Sequence, residues 1–342
     1  MTAPSPAPAA DAHRPHIVIA NWGGVRLFDD TDLAVIGEVG EVLDPEPIGA
    51  WDDPRCDELL PRAEVLLGHW GCPPIDEALL DRAPDLGLIA YAAGTVKGTI
   101  DPAVLDRVRV TSGADANAEP VAEFTLAMIL LANKGVLWQR DLLRDPSIAE
   151  RWERSSIEIG NWDKTIGIVG ASIIGRRVIE LLRPFPTLHP ILYDPYVSAE
   201  EAVSIGAEKV ELLDLCRRAD VVSVHAPDLP STHGMFGDEQ LAAMRTGATL
   251  INTARGRLLD HDALVTHADR VYSILDVTHP EPLPDDHPLR TLPTVFLTPH
   301  IAGSLGTELR RMGEYAAEEI RRWAAGQPGR NVITRAMLDR IA

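Results

Sequence analysis

Three segments in the second half of the chain each pair an apolar run with a side chain capable of ionic or acid–base chemistry. Arg255 follows the run ATLINTA, Glu281 lies in HPEPLP, and His300 ends the run TVFLTPH. An arginine can bind a carboxylate through two parallel hydrogen bonds, and a histidine can move a proton near neutral pH. A glutamate beside that histidine favours its protonated form. The set suits proton transfer on a small carboxylic acid.

Each of these residues also has a structural interpretation. A strand-end arginine is often a surface ion pair, Glu281 is compatible with a solvated loop acid, and His300 is compatible with a turn cap. All three follow predicted strands, however, and ligands bind at the carboxyl ends of strands in open α/β sheets. Their joint occurrence beside a nucleotide-binding loop favours the catalytic interpretation.

That loop lies in the sequence GIVGASIIG (167–175). Gly170 and Gly175 have the spacing of Gly-x-Gly-x-x-Gly, but Ser172 replaces the middle glycine. The loop follows the run TIGIV and opens the helical pattern RRVIELL, so its backbone N–H groups would face a pyrophosphate at a helix N-terminus. Asp194 ends the run ILYD, where a carboxylate accepts the ribose hydroxyls of NAD and repels the extra phosphate of NADP. A turn cap is the structural alternative for this acid.

Short β-rich runs recur at regular intervals, separated by segments long enough for a crossover helix. Because each run is apolar almost throughout, the pattern predicts parallel strands covered on both faces. From residue 165 onward the predicted strands are TIGIVG, ILYDP, DVVSVHAP, ATLINTA, VYSILDV and TVFLTPH. The first part repeats the pattern with HIVIA, AEVLLGHW, LGLIAYAAG and VRVTSG. The alternation predicts two α/β, Rossmann-like domains with parallel, doubly wound sheets and an active site in the cleft between them.

The longest helical pattern, AEPVAEFTLAMILLANKGVLWQRD, is predicted to begin at Asn117 or Ala118, with Pro120 in its first turn, and to connect the domains. The amphipathic run SLGTELRRMGEYAAEEIRRWAAG is expected to return to the first domain. We therefore expect a disordered Pro- and Ala-rich tail (1–15), a catalytic domain (16–117 plus 303–342) and a NAD-binding domain (118–302).

The composition excludes several classes of function. A formal net charge of -19 argues against a nucleic acid or an anionic membrane as partner, because both need basic surface. The N-terminal residues lack the features of a signal peptide, and no apolar run is long enough to cross a bilayer. The three cysteines suit neither a disulfide framework nor a zinc site, so we expect no metal and a reducing cytoplasm.

Taken together, the motifs resemble the D-isomer-specific 2-hydroxyacid dehydrogenase family, which includes phosphoglycerate dehydrogenase, D-lactate dehydrogenase, glyoxylate reductase and formate dehydrogenase. The resemblance extends from about residue 16 to about residue 325. It rests on VAE (121–123), TIGIVG (165–170), YDP (193–195), HAP (225–227), LINTARG (250–256), DV with EPLP (276–284) and TPHIAG (298–303).

The resemblance implies roles for individual residues. Arg255 would bind the substrate carboxylate together with backbone N–H groups of Gly94, Thr95 and Val96. His300 would be the acid and base, supported by Glu281, which also argues against a formate dehydrogenase because that enzyme has glutamine there. The cofactor-binding residues would be Gly170, Ser172, Ile173, Ile174, Gly175, Asp194 at the ribose, His225, Ala226, Pro227, Thr253, Ala254, Asp276 at the nicotinamide carboxamide, and Gly303.

Two departures from the family pattern bear on the ligands. Ile173 stands where many relatives have an arginine, and Gly98 and Thr99 stand where Asp-Asn is common. In the same loop Lys97 faces either an anionic substrate or solvent. In the separate segment GHWG (68–71), Trp70 either lines the cleft or belongs to the core.

The sequence therefore predicts a cytoplasmic oxidoreductase that transfers a hydride between NAD(H) and C2 of a small, anionic 2-hydroxy or 2-oxo acid. Two alternatives remain open, a non-enzymatic NAD-sensing protein similar to a corepressor and a related dehydrogenase acting on a phosphite or phosphonate. A homodimer is expected through FTLAMILLANKGVLW (124–138), which offers more apolar surface than one small domain needs to bury.

Overall fold

The computed structural model describes residues 13–22, 27–139 and 159–338. The chain divides into two compact units, with breaks after Asn117 and after Ser304. The second break falls beyond the expected residue 302, because the backbone of Ile301 and Ala302 is hydrogen bonded within the second unit. The predicted tail lies almost wholly outside the described residues, as do residues 140–141 at the end of the long helical pattern.

The first unit has a parallel sheet with helices packed on it. Its strands are β1 (His16–Ala20), β2 (Glu41–Val42), β3 (Val65–Gly68), β4 (Leu88–Tyr91) and β5 (Arg109–Ser112). Its helices are α1 (Asp30–Val39), α2 (Cys56–Leu59), α3 (Glu77–Arg82) and, near the C-terminus, α11 (Leu309–Ala324). The strand order β2-β1-β3-β4-β5 is doubly wound, with its switch point between β1 and β3.

The C-terminal helix α11 packs onto the first unit, as its amphipathic pattern predicts. Met312, Ala316 and Ile320 are buried in one core with Ile17 of β1 and Leu88 of β4. The first unit is therefore built from two separate stretches of the chain.

The second unit has a larger parallel sheet. Its strands are β6 (Lys164–Val169), β7 (Leu188–Tyr193), β8 (Glu208–Lys209), β9 (Val221–Val224), β10 (Thr249–Asn252), β11 (Tyr272–Leu275) and β12 (Val295–Leu297). Helix α4 (Ala114–Asn133) spans the break between the units. The others are α5 (Val136–Gln139), α6 (Ile173–Leu182), α7 (Ala199–Ile205), α8 (Leu212–Arg218), α9 (Asp238–Ala243) and α10 (His261–Thr266).

The strand order of the second sheet, β12-β11-β10-β9-β6-β7-β8, also has a switch point, between β6 and β9. From the central β6 the chain adds β7 and β8 on one side, and then β9 to β12 on the other. In doubly wound sheets the crevice at the carboxyl ends of the strands beside the switch point is where ligands bind. Because the sheet is parallel, the turns after β6, β9, β10, β11 and β12 all lie along one edge.

The connecting helix begins earlier than the sequence pattern predicts. Helix α4 starts at Ala114 rather than at Asn117 or Ala118, so Pro120 lies in its second turn. Ser112 explains the earlier start, because its Oγ accepts a hydrogen bond from the Ala114 N–H at 3.2 Å. Pro120 removes one intrahelical hydrogen bond, and it is itself buried with its neighbours in the helix.

Candidate active site

The turn between β6 and α6 contains glycines that no other residue could replace without strain. Gly170 has φ +97°, and a Cβ there would come within 2.9 Å of the Ala226 nitrogen. A Cβ at Gly175 would lie 2.0 Å from the Gly170 carbonyl oxygen. Ser172, in place of the middle glycine, is the N-cap of α6, since its Oγ accepts from the Gly175 N–H at 3.3 Å. The replacement therefore caps the helix.

The N-terminus of α6 is suited to an anion. The first amides of this ten-residue helix, those of Ile173 and Ile174, have no partners within the helix, and the helix dipole favours negative charge there. The Ile173 side chain is 48% exposed and brings no charge. Arg176 is committed elsewhere, since its guanidinium donates to the Ala171 carbonyl and pairs with Glu201. The loop thus offers backbone amides to a pyrophosphate.

Asp194, at the end of β7, is tied to the glycine loop. Its Oδ2 accepts from the Ala171 N–H and its Oδ1 from the Tyr196 N–H, both at 2.8 Å. These two bonds agree with the interpretation of Asp194 as a turn cap. A carboxylate has about four acceptor positions, so two remain for ribose hydroxyls.

His225 follows β9 at the switch point, against the glycine loop. Its ring is 4% exposed, its Nε2 lies 2.9 Å from the Ser223 Oγ, and its Nδ1 has no hydrogen-bond partner within the described part of the chain. Burial lowers the pKa of His225 to about 3, so the ring is neutral at physiological pH. Ala226 and Pro227 continue this turn. His225 is therefore a neutral polar group beside the loop and cannot serve as a proton carrier near pH 7.

The turn after β10 holds Arg255. The Asn252 side chain accepts from the Ala254 N–H at 3.0 Å and donates to the Arg255 carbonyl at 2.8 Å, which fixes the turn. A Cβ at Gly256 would lie 2.0 Å from the carbonyl carbon of Thr278. That close approach holds the arginine turn against the loop that follows β11, which carries Glu281.

The Arg255 guanidinium is poorly solvated. Burial lowers its pKa, while the charges of Asp228 and Glu281 raise it. Its Nη1 donates to the Ala254 carbonyl at 2.7 Å, leaving other donors for a ligand. A charge-assisted hydrogen bond to a carboxylate is strong in such surroundings. Asp228 is not among the residues predicted from the sequence, although its position directly after HAP could have indicated it.

Glu281 and His300 are hydrogen bonded to each other. The distance from His300 Nδ1 to Glu281 Oε1 is 2.9 Å, and about half of the His300 side chain is exposed. Because a carboxylate only accepts, this bond places a proton on Nδ1 and leaves Nε2 for another partner. The pair therefore presents one imidazole nitrogen that can exchange a proton with a ligand.

The remaining cofactor candidates of the second unit also lie at strand ends. Asp276, after β11, is 1% exposed and binds the loop that carries His300. Thr253, after β10, is buried with its Oγ1 3.3 Å from the Thr125 Oγ1 of α4. Ala254 and Gly303 are partly exposed in their turns.

The predicted substrate loop belongs to the first unit, where it follows β4. The Gly94 carbonyl accepts from the Ser112 Oγ at 2.6 Å, and the Thr95 Oγ1 accepts from the Lys97 N–H at 3.2 Å. Val96 is 1% exposed, so its side chain is part of the core and only its backbone could contact a ligand.

Trp70 packs against the core of the first unit, which answers one question left open by the sequence. Its ring meets that of His69 edge to face at 4.7 Å, and it contacts the buried cluster that includes Val96. The core interpretation of Trp70 is therefore the better one.

The described ranges, which leave out 1–12, 23–26, 140–158 and 339–342, contain no group of His, Cys, Asp and Glu arranged to hold a metal ion. None of their helices is both long and apolar enough to cross a membrane.

Comparisons with known proteins bear on both units. Residues 126–302 match the family described as D-isomer specific 2-hydroxyacid dehydrogenase, NAD binding domain. The chain is 35% identical over 313 residues to D-3-phosphoglycerate dehydrogenase of Mycobacterium bovis, a match that covers 89% of this chain and 57% of that protein. This chain therefore spans little more than half the length of that relative.

Two other similarities extend over most of both proteins. The chain is 30% identical over 270 residues to glyoxylate reductase of Korarchaeum cryptofilum, covering 78% of this chain and 81% of that one. The crystal structure of a phosphoglycerate oxidoreductase from Rhizobium etli has a TM-score of 0.76 and 25% identity, covering 94% of this chain and 98% of that chain. The chain thus belongs to the D-isomer specific 2-hydroxyacid dehydrogenase family, and residues 126–302 form its NAD-binding domain.

Proposed function

We propose that this protein is a NAD-dependent D-2-hydroxyacid dehydrogenase that transfers a hydride between NAD(H) and C2 of a small 2-oxo or 2-hydroxy acid. The observation that carries the proposal is the 2.9 Å hydrogen bond between Glu281 and His300, on the same sheet edge as Arg255 and the glycine loop. A proton carrier, a cation for the carboxylate and a dinucleotide loop are the parts that this reaction needs. The relatives named as phosphoglycerate dehydrogenase and glyoxylate reductase support it.

The second unit fits NAD at its switch point. The pyrophosphate would lie against Gly170, which has no Cβ, and the capped N-terminus of α6. The carboxylate of Asp194 would accept the ribose hydroxyls. When bound there, NAD(H) supplies or accepts the hydride. The other residues that we propose to line this site are Ser172, Ile173, Ile174, Gly175, His225, Ala226, Pro227, Thr253, Ala254, Asp276 and Gly303.

Arg255 would orient the substrate through its carboxylate. The guanidinium is a planar fork that binds both carboxylate oxygens, and its poor solvation strengthens the pairing. Backbone N–H groups of Gly94, Thr95 and Val96 in the first unit are proposed as further donors to the same carboxylate. This grip fixes the position of C2, which is the atom that reacts.

His300 would carry the proton of the reaction. In reduction, the imidazolium donates a proton from Nε2 to the carbonyl oxygen of the 2-oxo acid as that oxygen gains negative charge. In oxidation, the neutral ring accepts the hydroxyl proton at Nε2. Glu281 accepts from Nδ1–H in both directions and stabilises the charged ring.

The direct test is a panel of 2-oxo acids with NADH, and of phosphite and phosphonates with NAD, followed by NADH absorbance. Turnover of a 2-oxo acid that is lost in His300→Ala would support the proposal. NADH binding without turnover of any compound would instead favour a NAD-sensing protein, and turnover of phosphite alone would favour the other alternative. Either of these two results would overturn the proposal.

We also propose that the protein is a cytoplasmic homodimer. Leu126, Met128 and Leu130 of α4 are only partly covered by the core of their own unit, and Val136 of α5 is 44% exposed. Such a surface suits a second copy of the chain. The three cysteines are free and buried, as suits a reducing compartment. Light scattering at micromolar concentration should give the mass of two chains, and a monomer would rule out the dimer.

A further inference from the structure

Glu281 lies in a long loop, residues 276–294, that joins β11 to β12. The regular structure of this loop is a short 3-10 helix at Pro288–Arg290. Loops of this length in a compact domain are uncommon unless they serve a function. The Glu281 side chain is 41% exposed, and a cavity of about 390 Å³ lies beside it, lined also by Leu283 and Arg290. Packing on the Glu281 side chain therefore does little to fix its position.

Arg290 closes the loop from its far end. Its Nε donates to the Pro284 carbonyl at 2.8 Å, and its Nη2 donates to the Leu283 carbonyl. A guanidinium is a rigid fork of donors, so it can bind two neighbouring carbonyls at once. Hydrogen bonds from a charged donor are also stronger than those between neutral groups. Arg290 thus ties down the backbone that directly follows Glu281 and Pro282.

The backbone of Arg290 is itself well anchored. Leu289, the preceding residue, is 1% exposed and lies in the same buried cluster as Leu283. His287 is the N-cap of the 3-10 helix, since its Nδ1 accepts from the Leu289 N–H at 3.2 Å. The guanidinium therefore reaches the two carbonyls from a fixed point.

We propose that Arg290 is a positioning residue for Glu281, a role that rests on the proposed function. Arg290 acts through Glu281 rather than on the substrate. The bond from His300 Nδ1 to Glu281 Oε1 is 2.9 Å long, and a displacement of about 1 Å breaks a hydrogen bond of this kind. By holding residues 283–284, Arg290 keeps the carboxylate within reach of the imidazole.

The test compares Arg290→Ala and Arg290→Lys with a matched control, Arg270→Ala. Arg270 also donates to backbone carbonyls, to that of Leu241 at 2.8 Å and to that of Met244. It precedes β11, at the opposite edge of the second sheet from Glu281. Each alanine variant therefore loses one cation and a similar set of hydrogen bonds. All proteins are assayed with NADH and the best 2-oxo acid of the panel, and their urea unfolding is measured.

The positioning role predicts a split between kcat and binding. Arg290→Ala should lower kcat by about tenfold, and by no more than Glu281→Gln does, because it acts only through that carboxylate. The KM of the 2-oxo acid and the NADH dissociation constant should stay within about threefold, because both ligands keep their contacts. Arg290→Lys should lose less, because an ammonium can still bind one of the two carbonyls. Arg270→Ala should lower the urea midpoint as Arg290→Ala does but keep kcat within about twofold.

A double-mutant cycle separates positioning from a merely structural role. In a Glu281→Gln protein, Arg290→Ala should change kcat by less than about twofold, because the carboxylate that Arg290 positions is gone.

Amide hydrogen exchange provides a readout that needs no turnover. The His287 N–H donates to the Pro284 carbonyl at 3.1 Å, the same carbonyl that Arg290 binds. Exchange at His287 should be faster in Arg290→Ala than in the parent protein and unchanged in Arg270→Ala.

Three results would overturn the positioning role in a parent protein that reduces a 2-oxo acid. These are an unchanged kcat in folded Arg290→Ala, losses of kcat that multiply in the cycle, and unchanged exchange at His287. An equal loss of kcat in Arg270→Ala would also overturn it, because the effect would then follow from stability alone. A parent protein that turns over no 2-oxo acid would instead contradict the proposed function, and the positioning role with it.

Discussion

Histidines follow strands at the carboxyl edges of both sheets, but their surroundings are opposite. His69 follows β3 in the first unit and is 0% exposed, with its Nδ1 accepting from the Trp70 N–H and its ring edge-on to Phe28. Burial lowers its pKa to about 3. His300 follows β12 in the second unit, about half exposed and bound to Glu281. A place at a strand end therefore does not by itself make a proton carrier, since burial keeps the His69 ring neutral at physiological pH.

His225 extends this comparison because it lies, like His300, at the carboxyl ends of the strands of the second sheet. It has the burial and the low pKa of His69, about 3, although it lies in the NAD-binding unit. Both buried histidines follow a strand beside the switch point of their sheet, whereas His300 follows β12, the outermost strand on one side of its sheet. The chemistry of each histidine is thus set by its local environment rather than by its unit.

The largest expected effect separates His300 from His69. His300→Ala should lower kcat about 100-fold or more at every pH, because general acid–base catalysis is lost, with little change in stability. His69→Ala should keep kcat within a few-fold but lower the free energy of unfolding by about 2–4 kcal/mol, as expected for a cavity in a core. Steady-state kinetics and urea unfolding of both variants measure this. A comparable loss of kcat in a folded His69→Ala protein would show that His69 also takes part in catalysis and would contradict this account.

A similar contrast applies to two arginines. Arg255→Lys should lower kcat/KM by about two orders of magnitude, because a single ammonium cannot reproduce the planar grip on a carboxylate. NADH binding should remain. The matched control is Arg177→Lys, where the same fork binds Glu119 at 2.8 and 2.6 Å on the protein itself. There the change in kcat/KM should be small and the loss of stability below about 1 kcal/mol. Near-normal kinetics of Arg255→Lys would place the carboxylate site elsewhere, with Lys97 as the next candidate.

Cofactor choice should respond to Asp194. In the parent protein NADH should be strongly preferred, and Asp194→Ser should raise the ratio of kcat/KM for NADPH over NADH by about tenfold or more, since a like charge is removed from beside the 2′-phosphate. Glu200→Ala, at an exposed acid of α7, should leave the ratio unchanged. Equal efficiency with both cofactors in the unmodified protein would refute the role of Asp194.

The last effect concerns stability in acid and leaves catalysis aside. The folded-state pKa of His69 is lowered from 6.5 to about 3, so between these values only the unfolded chain binds the proton. The free energy of unfolding therefore decreases as pH falls through this window, by at most about 1.4 kcal/mol per pH unit for this histidine. His69→Gln should flatten the dependence measured by urea unfolding between pH 6 and 4. Parallel curves for the two proteins would show that His69 is protonated in the fold.

Much of the fold could be predicted because its strands are buried on both faces. Ten apolar runs were predicted as strands, and each contains one in the structure. The edge strands β2 and β8 were not predicted, since two residues are too few to form a pattern. The start of α4 was wrong because it depends on Ser112, a residue assigned to the preceding strand.

The site was predicted in part. The residues that could be predicted have local sequence signals, whereas the contacts that could not be predicted join residues far apart in the sequence. Arg255, Glu281 and His300 could be proposed from residue type, position after a strand and resemblance. The hydrogen bonds that the Asp276 carboxylate accepts from Ile301 and Ala302 join residues more than twenty positions apart, and no local pattern predicts them. The burial of His69 was equally hidden, because the segment GHWG has the composition of a ligand-binding turn.

The central claim is that Glu281 and His300 act together as the proton carrier, and a double-mutant cycle in kcat tests it most directly. Glu281→Gln keeps the shape of the side chain but removes the charge that supports the imidazolium, so kcat should fall by about tenfold or more. In a His300→Ala protein the same substitution should have little further effect on kcat, because the ring that Glu281 supports is gone. If the two losses of kcat multiply instead, the two residues act independently and the account of proton transfer is wrong.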